Sequence, residues 1–561
     1  MQSLKDASNY STIRIIAFIL TAEKAVLRIA WTAVALVLLA VFFAFFAQSL
    51  IFFFQYPVGT TVSINTAPLE FPAVSVCSLN PYKASAIQKE APEIYDQITK
   101  YSEGVLEREK SKRNPVFEST AEQNGGQSEE TVKHRNRRNA ALGIADNVGQ
   151  IFYTTFLPDS TSSVTYPQIL LATTSATPFP VTITNKGGGY PTTIVNIDSS
   201  KVYTINISAT IWTTGFKLEA AVDFTAYNLQ QALNTADATM ILPLDVLGTN
   251  YMVVNAYYGF SYPAYVYIVA TANGTIITVT APDGTSQVYN ANELDVVPVS
   301  GFKDYSGTQI QSNYAIAVTS GNDCLRFPAG CTGCDQVYEQ LPPIVSWGLE
   351  HALVPFQHIY DDMPWSNCCI DATFCTKSYE FFKVVALVNG TTITRTGSIS
   401  SESFTLDKSQ SRHVLTRQNE YSLLTADNPV IVLQIMNSHD YSQESSDPSL
   451  LIIPPIDAYT KDYFVLSCMG PFSKHWLTVL IDPAKAAGLL LNGQTFLGAL
   501  TANAIPGTTF SAYYYQVPCG SEAASFKITH PDAGAVYTVF VYGRKTRTTY
   551  AYNAGRLLNR G

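Results

Sequence analysis

The sequence predicts a mainly β ectodomain, built from repeated β-sandwich or propeller-like modules, on a single N-terminal transmembrane α-helix. Three observations predict this class: an uncharged apolar run over residues 30–54, short alternating apolar and polar runs after residue 151, and an internal repeat. The predicted segments are a cytoplasmic tail (1–29), the helix (30–54), a post-membrane segment (55–83), a helical and then disordered linker (84–150) and the β-rich region (151–561).

The apolar run reads AWTAVALVLLAVFFAFFAQSLIFFF over residues 30–54. At about 1.5 Å per residue, a helix of this length crosses a hydrocarbon core of ~30 Å. A signal peptide has a shorter apolar stretch, and a core helix is seldom apolar on every face. The basic residues Lys5, Arg14, Lys24 and Arg28 precede the run, whereas the next one is Lys83. This asymmetry predicts a single-pass protein of the plasma membrane, with the lipid bilayer as a partner, its N-terminus cytoplasmic and its C-terminus extracellular.

The linker carries a basic tetrad that fits a protease site. Residues 114–139 are charged and poor in apolar side chains, which predicts disorder. Within them, Arg135, Arg137 and Arg138 fit the Arg-x-Arg-Arg pattern cut by furin-like proteases. The alternative interpretation is a solvated run of charge.

Eight of the nine cysteines lie in the second half of the chain, namely Cys324, Cys331, Cys334, Cys368, Cys369, Cys375, Cys468 and Cys519. Outside the cell such an even set predicts disulfides rather than zinc ligands, although eight cysteines allow about 105 pairings and leave the connectivity open. Three acceptor triplets begin at Asn206, Asn273 and Asn389, and they predict N-glycosylation.

An internal repeat is carried by two hairpin sequences. VYIVATANGTIITVT begins at residue 266 and FKVVALVNGTTITRT at residue 382, a period of 116 residues. Both predict a tight turn at Asn-Gly, because this pair tolerates positive φ angles. A weaker third copy joins the run over residues 476–481 to Leu491-Asn492-Gly493.

The sequence predicts no catalytic, cofactor or metal site. The seven histidines are scattered, and there is no nucleophile elbow, phosphate loop or calcium loop. With 14% charged residues and a net charge of −9, the composition also argues against nucleic acid as a partner.

The segment after the helix, FPAVSVCSLNPYK, resembles the degenerin, epithelial sodium channel and acid-sensing channel family. The matching residues are Phe71, Pro72, Ala73, Val74, Cys77, Asn80 and Pro81, and the resemblance covers about residues 25–85. The family implies a His-Gly pair in the cytoplasmic tail and a second membrane helix, and this sequence shows neither. The resemblance therefore implies a channel-derived anchor, or a truncated product of a longer channel gene.

A longer stretch, about residues 180–555, resembles the N-terminal domain of the IgG Fc-binding protein family. The resemblance is carried by Ser320-Gly321-Asn322, Cys324, Cys331, Cys334-Asp335, the segment 339–343, Trp347-Gly348, Ile453-Pro454-Pro455 and the closing strand 536–543. It implies a secreted or cell-surface β-rich binding module.

Two hypotheses on function follow from these resemblances. The first is a single-pass membrane protein, not an enzyme, that displays a β-rich adhesion or ligand-binding module to an extracellular protein or glycan. The alternative is a subunit or truncated form of a degenerin-type, amiloride-sensitive sodium channel that would partner other channel subunits, with the second transmembrane helix missing from this chain.

Overall fold

The computed structural model describes residues 25–55 and 144–559. The second range has gaps at residues 146, 159–164, 187–189, 208–213, 233–234, 259–261, 329–333, 357–378, 439–446, 462, 468–473, 519–523 and 546–547. The chain forms two compact units, residues 1–122 and residues 123–561.

The first unit contains α1, Ala25–Gln55, a helix of 31 residues that includes the predicted 30–54 run. Large apolar side chains of this helix are exposed, among them Val34, Leu36, Leu39 and Phe43. In the described part of the chain, no helix qualifies as a candidate membrane span. The membrane span therefore remains a prediction.

The second unit begins with the short strand β1 (Ile144–Ala145) and a first module of seven strands. These strands are β2 (Gly149–Thr154), β3 (Thr165–Ala172), β4 (Phe179–Asn185), β5 (Thr193–Ile197), β6 (Tyr203–Asn206), β7 (Phe216–Ala232) and β8 (Ala236–Ile241). Their order is β5-β4-β7-β3-β6, and β2 and β8 also pair with β7. β1 and the first two residues of β2 lie before residue 151.

The second and third modules repeat this arrangement. The second has β9 (Gly248–Met252), β10 (Ala264–Ala270), β11 (Thr275–Thr280), β12 (Ser286–Ala291), β13 (Val296–Gly301), β14 (Gln309–Leu325) and β15 (Asp335–Gln340). The third has β16 (Gly348–Leu353), β17 (Tyr379–Ala386), β18 (Thr391–Gly397), β19 (Ser401–Leu406), β20 (Ser411–Arg417), β21 (Ser422–Met436) and β22 (Ser449–Ile453). Their orders, β12-β11-β14-β10-β13 and β19-β18-β21-β17-β20, reproduce that of the first module.

The fourth module has a different topology. Its elements are β23 (Tyr463–Ser467), β24 (Lys474–Ile481), α2 (Pro483–Ala486), β25 (Leu490–Leu491), β26 (Gln494–Thr495), β27 (Asn503–Ala504), β28 (Ser511–Gln516), β29 (Ala524–Thr529), β30 (Tyr537–Lys545), β31 (Thr548–Asn553) and then β32 (Leu558–Asn559). They form the sheets β23-β29-β25-β26 and β27-β28-β24-β30-β31, while β32 pairs with β1.

One long strand in each of the first three modules belongs to two sheets. In β14, the half near Gln309 pairs with β11 and β9, and the half near Leu325 pairs with β10 and β15. The β9 pairing shifts register between Gln311 and Ile316, where the strand passes from one sheet to the other. Each of these modules is therefore a β-sandwich, and the prediction of a mainly β fold is confirmed.

The four modules close into a ring through shared hydrophobic cores. One core joins the first and fourth modules and includes Tyr227 and Val479, with Val269 of the second module also in it. A second core joins the second and third modules, and a third joins the third and fourth. Pairing of β1 with β32 brings the two ends of the ring together.

Three proline-initiated turns connect the modules. A single turn of 3-10 helix follows each of Pro243, Pro343 and Pro455, at Leu244–Val246, Ile344–Ser346 and Ile456–Ala458. In each turn the proline carbonyl accepts a hydrogen bond from the amide three residues later, at 2.9–3.1 Å. The fixed φ of proline suits this position, because the chain must leave an extended strand and turn at once. These equivalent turns place β8, β15 and β22 at corresponding positions in the ring.

Candidate functional site

The Asn-Gly hairpins lie where the sequence predicts them, between β10 and β11 and between β17 and β18. Gly274 has φ of 72° and Gly390 has φ of 69°. The Asn273 side-chain oxygen accepts a hydrogen bond from Glu293 N at 3.1 Å, and the Asn389 oxygen accepts one from Lys408 N at 2.9 Å. Both asparagines are exposed. This geometry uses the amide oxygen to hold the turn and leaves the nitrogen, the atom that carries a glycan, available for modification.

The third predicted acceptor, Asn206, is exposed at the end of β6, where its side-chain oxygen accepts a hydrogen bond from Gln168 Nε2 at 2.8 Å. The weaker third copy of the repeat is also a hairpin, between β25 and β26. There Gly493 has φ of 80°, and Asn492 accepts a hydrogen bond from Lys527 N at 2.7 Å. Asn492 lacks the acceptor triplet, so the turn geometry is independent of the glycosylation signal.

Of the predicted disulfide cysteines, Cys324 and Cys334 are bonded to each other, with 5.1 Å between their Cα atoms. The bond connects the end of β14 to the residue before β15. The other predicted site residues lie outside the described residues: Cys331, Cys368, Cys369, Cys375, Cys468, Cys519, Arg135, Arg137, Arg138, Phe71, Pro72, Ala73, Val74, Cys77, Asn80 and Pro81.

Strand direction separates the hairpins from the cysteine-bearing segments. The start of β10 lies beside the end of β14, with Ala264 opposite Asn322, and the hairpin follows the other end of β10. The same relation holds for β17 with β21 and for β24 with β28. The segments that carry cysteines follow β14, precede β17, precede β24 and follow β28. They are therefore attached to the ends of these strands that lie opposite the hairpins.

A buried lysine joins the second and third modules. Lys383 on β17 donates to Asn255 O at 2.9 Å and forms an ion pair with Asp304. Burial lowers the pKa of Lys383, an effect that Asp304 opposes. Burial, together with the nearby Lys383 charge, also lowers the pKa of His413 to about 4. The neutral imidazole and the paired ammonium together make a polar contact within an apolar interface.

Side chains replace a main-chain ladder between the inner strands β8 and β15. Thr235 Oγ1, Asp237 Oδ2 and Thr239 Oγ1 accept hydrogen bonds from the amides of Gln336, Tyr338 and Gln340 at 2.8, 3.1 and 3.1 Å. In return, Asp335 Oδ1 and Gln340 Oε1 accept from the amides of Ala236 and Leu242 at 2.8 and 2.7 Å. Two parallel edge strands thereby satisfy their free N–H groups without pairing.

Four carboxyl groups in or directly before the inner strands β8, β15 and β22 are buried, namely Asp237, Asp335, Glu339 and Asp447. Burial raises the pKa of Asp237 and of Asp335, and raises that of Glu339 to about 7. Arg556 is also buried, which lowers its pKa to about 10, and its charge acts on Glu339. This cluster was not predicted from the sequence. Its signal was the recurrence of Thr235, Asp335 and Asp447 eight residues before Pro243, Pro343 and Pro455.

The described histidines occupy separate structural positions. His351 Nδ1 lies 3.2 Å from Ile453 O, His475 Nδ1 lies 2.7 Å from Tyr550 Oη, and His530 Nε2 lies 2.8 Å from Lys485 O. Burial lowers the pKa of His351 to about 4. These three contacts lie within the third and fourth modules, and each joins a different pair of segments.

The described residues thus form a mainly β protein, a ring of β modules, with a separate apolar helix. Residues 237–543, more than half of the chain, match the sequence profile of the family described as IgGFc binding protein, so the chain belongs to this family. Residues 7–224 match a second profile, described as Amiloride-sensitive sodium channel. The second interval extends beyond the resemblance over residues 25–85 and reaches β7 of the first module.

The individual relatives also fall into two groups, one for each of the two matched profiles. The IgGFc-binding protein of Homo sapiens is 26% identical over 404 residues, which cover 68% of this chain and 7% of that protein. The Degenerin-like protein asic-2 of Caenorhabditis elegans is 31% identical over 108 residues, 19% of this chain and 20% of that protein. The epithelial sodium channel subunit alpha of Gallus gallus is 51% identical over 47 residues, 8% of this chain and 7% of that protein. The chain thus spans a fifth or less of the length of these relatives. Neither matched family is a family of enzymes.

Proposed function

We propose that this chain is a single-pass membrane protein that displays the β-module ring outside the cell as an adhesion or ligand-binding module. The observation that carries the proposal is the combination of a β region that matches the IgGFc binding protein family with a separate, apolar helix. The ligand is proposed to be an extracellular protein or glycan. The name of the human relative refers to the Fc part of an antibody, and this remains a property of that protein.

The composition of α1 supports the membrane anchor. Leu36, Leu39 and Phe43 are exposed on one face of the helix, and Val34 is exposed on the opposite face. A helix that is apolar all round is stable when it is surrounded by protein or lipid. The excess of basic residues before the helix favours a cytoplasmic N-terminus.

We infer that the ligand binds at one end of the modules. This is the end at which the cysteine-bearing segments are attached to the strands. The opposite end carries the hairpins with Asn273 and Asn389, where attached glycans would obstruct a partner. Loops held on a rigid scaffold are the usual place for recognition. Enzymatic removal of N-glycans should therefore leave ligand binding intact.

Topology and binding can be tested on the same cells. An antibody against a C-terminal tag should stain intact cells, and substitution of Asn273 and Asn389 by Gln should each remove one glycan in a mobility assay. Cells that display the full chain should bind labelled extracellular glycoproteins, whereas cells that express only residues 1–143 should not. A C-terminal tag that stains only after permeabilisation would contradict the orientation, and equal binding by both cell types would contradict the binding function.

The same cell system tests processing at Arg135, Arg137 and Arg138. Cleavage after Arg138 would release a fragment that includes the whole ring, because β1 begins at Ile144. Substitution of Arg138 by Ala should abolish such a fragment in the medium.

A second candidate is a role as a degenerin-type channel subunit, which the match over residues 7–224 favours. Co-expression with epithelial sodium channel subunits should then alter the amiloride-sensitive current. A chain that neither alters the current nor co-purifies with these subunits would argue against this role.

A further inference from the structure

Three Asn-Gly pairs in the described part of the chain occupy hairpin turns, namely Asn273-Gly274, Asn389-Gly390 and Asn492-Gly493. Asparagine followed by glycine is prone to deamidation, because glycine has no side chain to hinder attack by its amide nitrogen on the asparagine side chain. All six residues are exposed, so solvent reaches each pair. The three turns therefore allow one reactive sequence to be compared in three surroundings.

The asparagine side chain is held in the same way in each turn. Its oxygen accepts a hydrogen bond from a main-chain amide, that of Glu293, Lys408 and Lys527 in chain order, at 3.1, 2.9 and 2.7 Å. Such a bond polarises the side-chain carbonyl and stabilises the negative oxygen that forms when a nucleophile attacks. The asparagine side chains are thus equally prepared for the reaction.

The glycine amide, which is the attacking group, differs between the turns. Gly274 N donates to Asn292 Oδ1 at 3.2 Å, and Gly390 N donates to Asp407 Oδ1 at 3.0 Å. Among the described residues, Gly493 N has no such acceptor, and Gly493 is exposed to solvent. An amide that is bonded to an acceptor, above all to a carboxylate, keeps its proton and is a poorer nucleophile. Only the third pair therefore combines a polarised side chain with an amide that can react.

We propose that Asn492-Gly493 is the site at which the ring deamidates spontaneously. Gly493 N loses its proton to solvent and forms a bond to Asn492 Cγ, the Cγ–Nδ2 bond breaks, and the nitrogen takes up a proton and leaves as ammonia. Water then opens the cyclic imide. Cleavage of the new bond gives aspartate, and cleavage of the original main-chain bond gives isoaspartate. One water is consumed and one ammonia is released, so the reaction needs no oxidant or reductant.

The position matters because Asn492 lies where two strands of the fourth module meet. Asn492 N also donates to Lys527 O at 2.8 Å, so both its main chain and its side chain bind the same residue. The preceding pair, Leu491 and Ile528, belongs to the core shared by the first and fourth modules. Isoaspartate adds a methylene group to the main chain and would disturb this register. Conversion should therefore destabilise the fourth module.

The test uses the full chain in detergent with Thr275→Ala and Thr391→Ala, which remove two glycan acceptor triplets and leave all three Asn-Gly pairs in place. Incubation in mildly alkaline buffer and peptide mapping by mass spectrometry detect a rise of about one dalton at each converted asparagine. We expect Asn492 to convert about tenfold faster than Asn389, a factor typical of one hydrogen bond to a carboxylate. Equal or slower conversion of Asn492 would overturn the proposal. Should the double variant not fold, the unaltered chain produced with an inhibitor of N-glycosylation gives the same measurement.

Two controls test the physical cause. Asp407→Ala removes the acceptor for Gly390 N and should raise the rate at Asn389 towards that at Asn492, with Asn273 unchanged. An unchanged rate at Asn389 would contradict a protective role of this hydrogen bond. In concentrated urea the turns are lost, so all three pairs should convert at similar rates. A preference for Asn492 that persists in urea would assign it to local sequence and overturn the structural explanation.

Thermal unfolding tests the consequence. After incubation the Tm of the unaltered chain should fall, whereas Asn492→Gly, which suits the turn and cannot form the imide, should keep the Tm that it had before incubation. An equal fall in both chains would place the damaging conversion elsewhere. None of these results depends on whether the chain spans a membrane or binds an extracellular ligand.

Discussion

Glu380 is a buried carboxyl group that makes stability depend on pH. It is 2% exposed, and burial raises its pKa to about 8, while a hydrogen bond from Gln434 Nε2 at 3.2 Å opposes the rise. The folded state retains the proton up to about pH 8, whereas the unfolded chain loses it near pH 4.5. Stability contributed by the neutral carboxyl is therefore present below pH 4.5 and is lost as pH rises through the window from 4.5 to 8.

We predict that Glu380→Gln removes this dependence, because Gln is neutral and keeps an oxygen for Gln434. At pH 8 the variant should be more stable than the unaltered chain by about 2–4 kcal/mol, and the difference should shrink towards pH 5. Urea unfolding at several pH values measures this difference. A constant difference across the range would mean that Glu380 does not titrate in the window.

Gly274 is required by its backbone conformation rather than by lack of space. Its φ is 72°, and an added Cβ would meet no atom within 4 Å. Gly274→Ala should therefore cost about 1 kcal/mol, the cost of a left-handed conformation in a residue with a side chain. Gly498→Ala is the matched control, because that position is equally open without a positive φ and should change stability by less than about 0.5 kcal/mol. Equal effects of the two substitutions in urea unfolding would contradict this reason.

Helix α1 exposes many large apolar side chains. Leu39 lies near its middle and Val26 near its start, and both are exposed. If the helix spans a membrane, Leu39→Lys should cost about 3 kcal/mol of insertion free energy, whereas Val26→Lys can reach the interface with its charge. Extraction of membranes at alkaline pH should release the Leu39→Lys protein preferentially. Equal retention of both variants would argue against a transmembrane position for Leu39.

The elements that the sequence predicts well are those with local signals. The turns at Asn273-Gly274 and Asn389-Gly390 follow from two residues, and the weaker copy at Asn492-Gly493 is also a hairpin. The first module has no such pair, and its membership of the repeat appears only from strand order. Contacts between inner strands join residues about a hundred positions apart, such as Thr239 and Gln340, so no local pattern encodes them. The ring and its buried acids consequently required the structure.

The whole ring is predicted to unfold as one unit, because its first and last modules are joined, whereas the end modules of an open repeat protein each contact only one neighbour. Its closure depends on β32, where Leu558 is 1% exposed within the core shared by the first and fourth modules. Leu558→Asp would bury an unpaired charge there and should cost about 3–5 kcal/mol. Calorimetry should show a single transition of the ring at lower Tm. Ile399→Asp, at an exposed turn, should leave Tm nearly unchanged, and separate transitions for individual modules would contradict the closed ring.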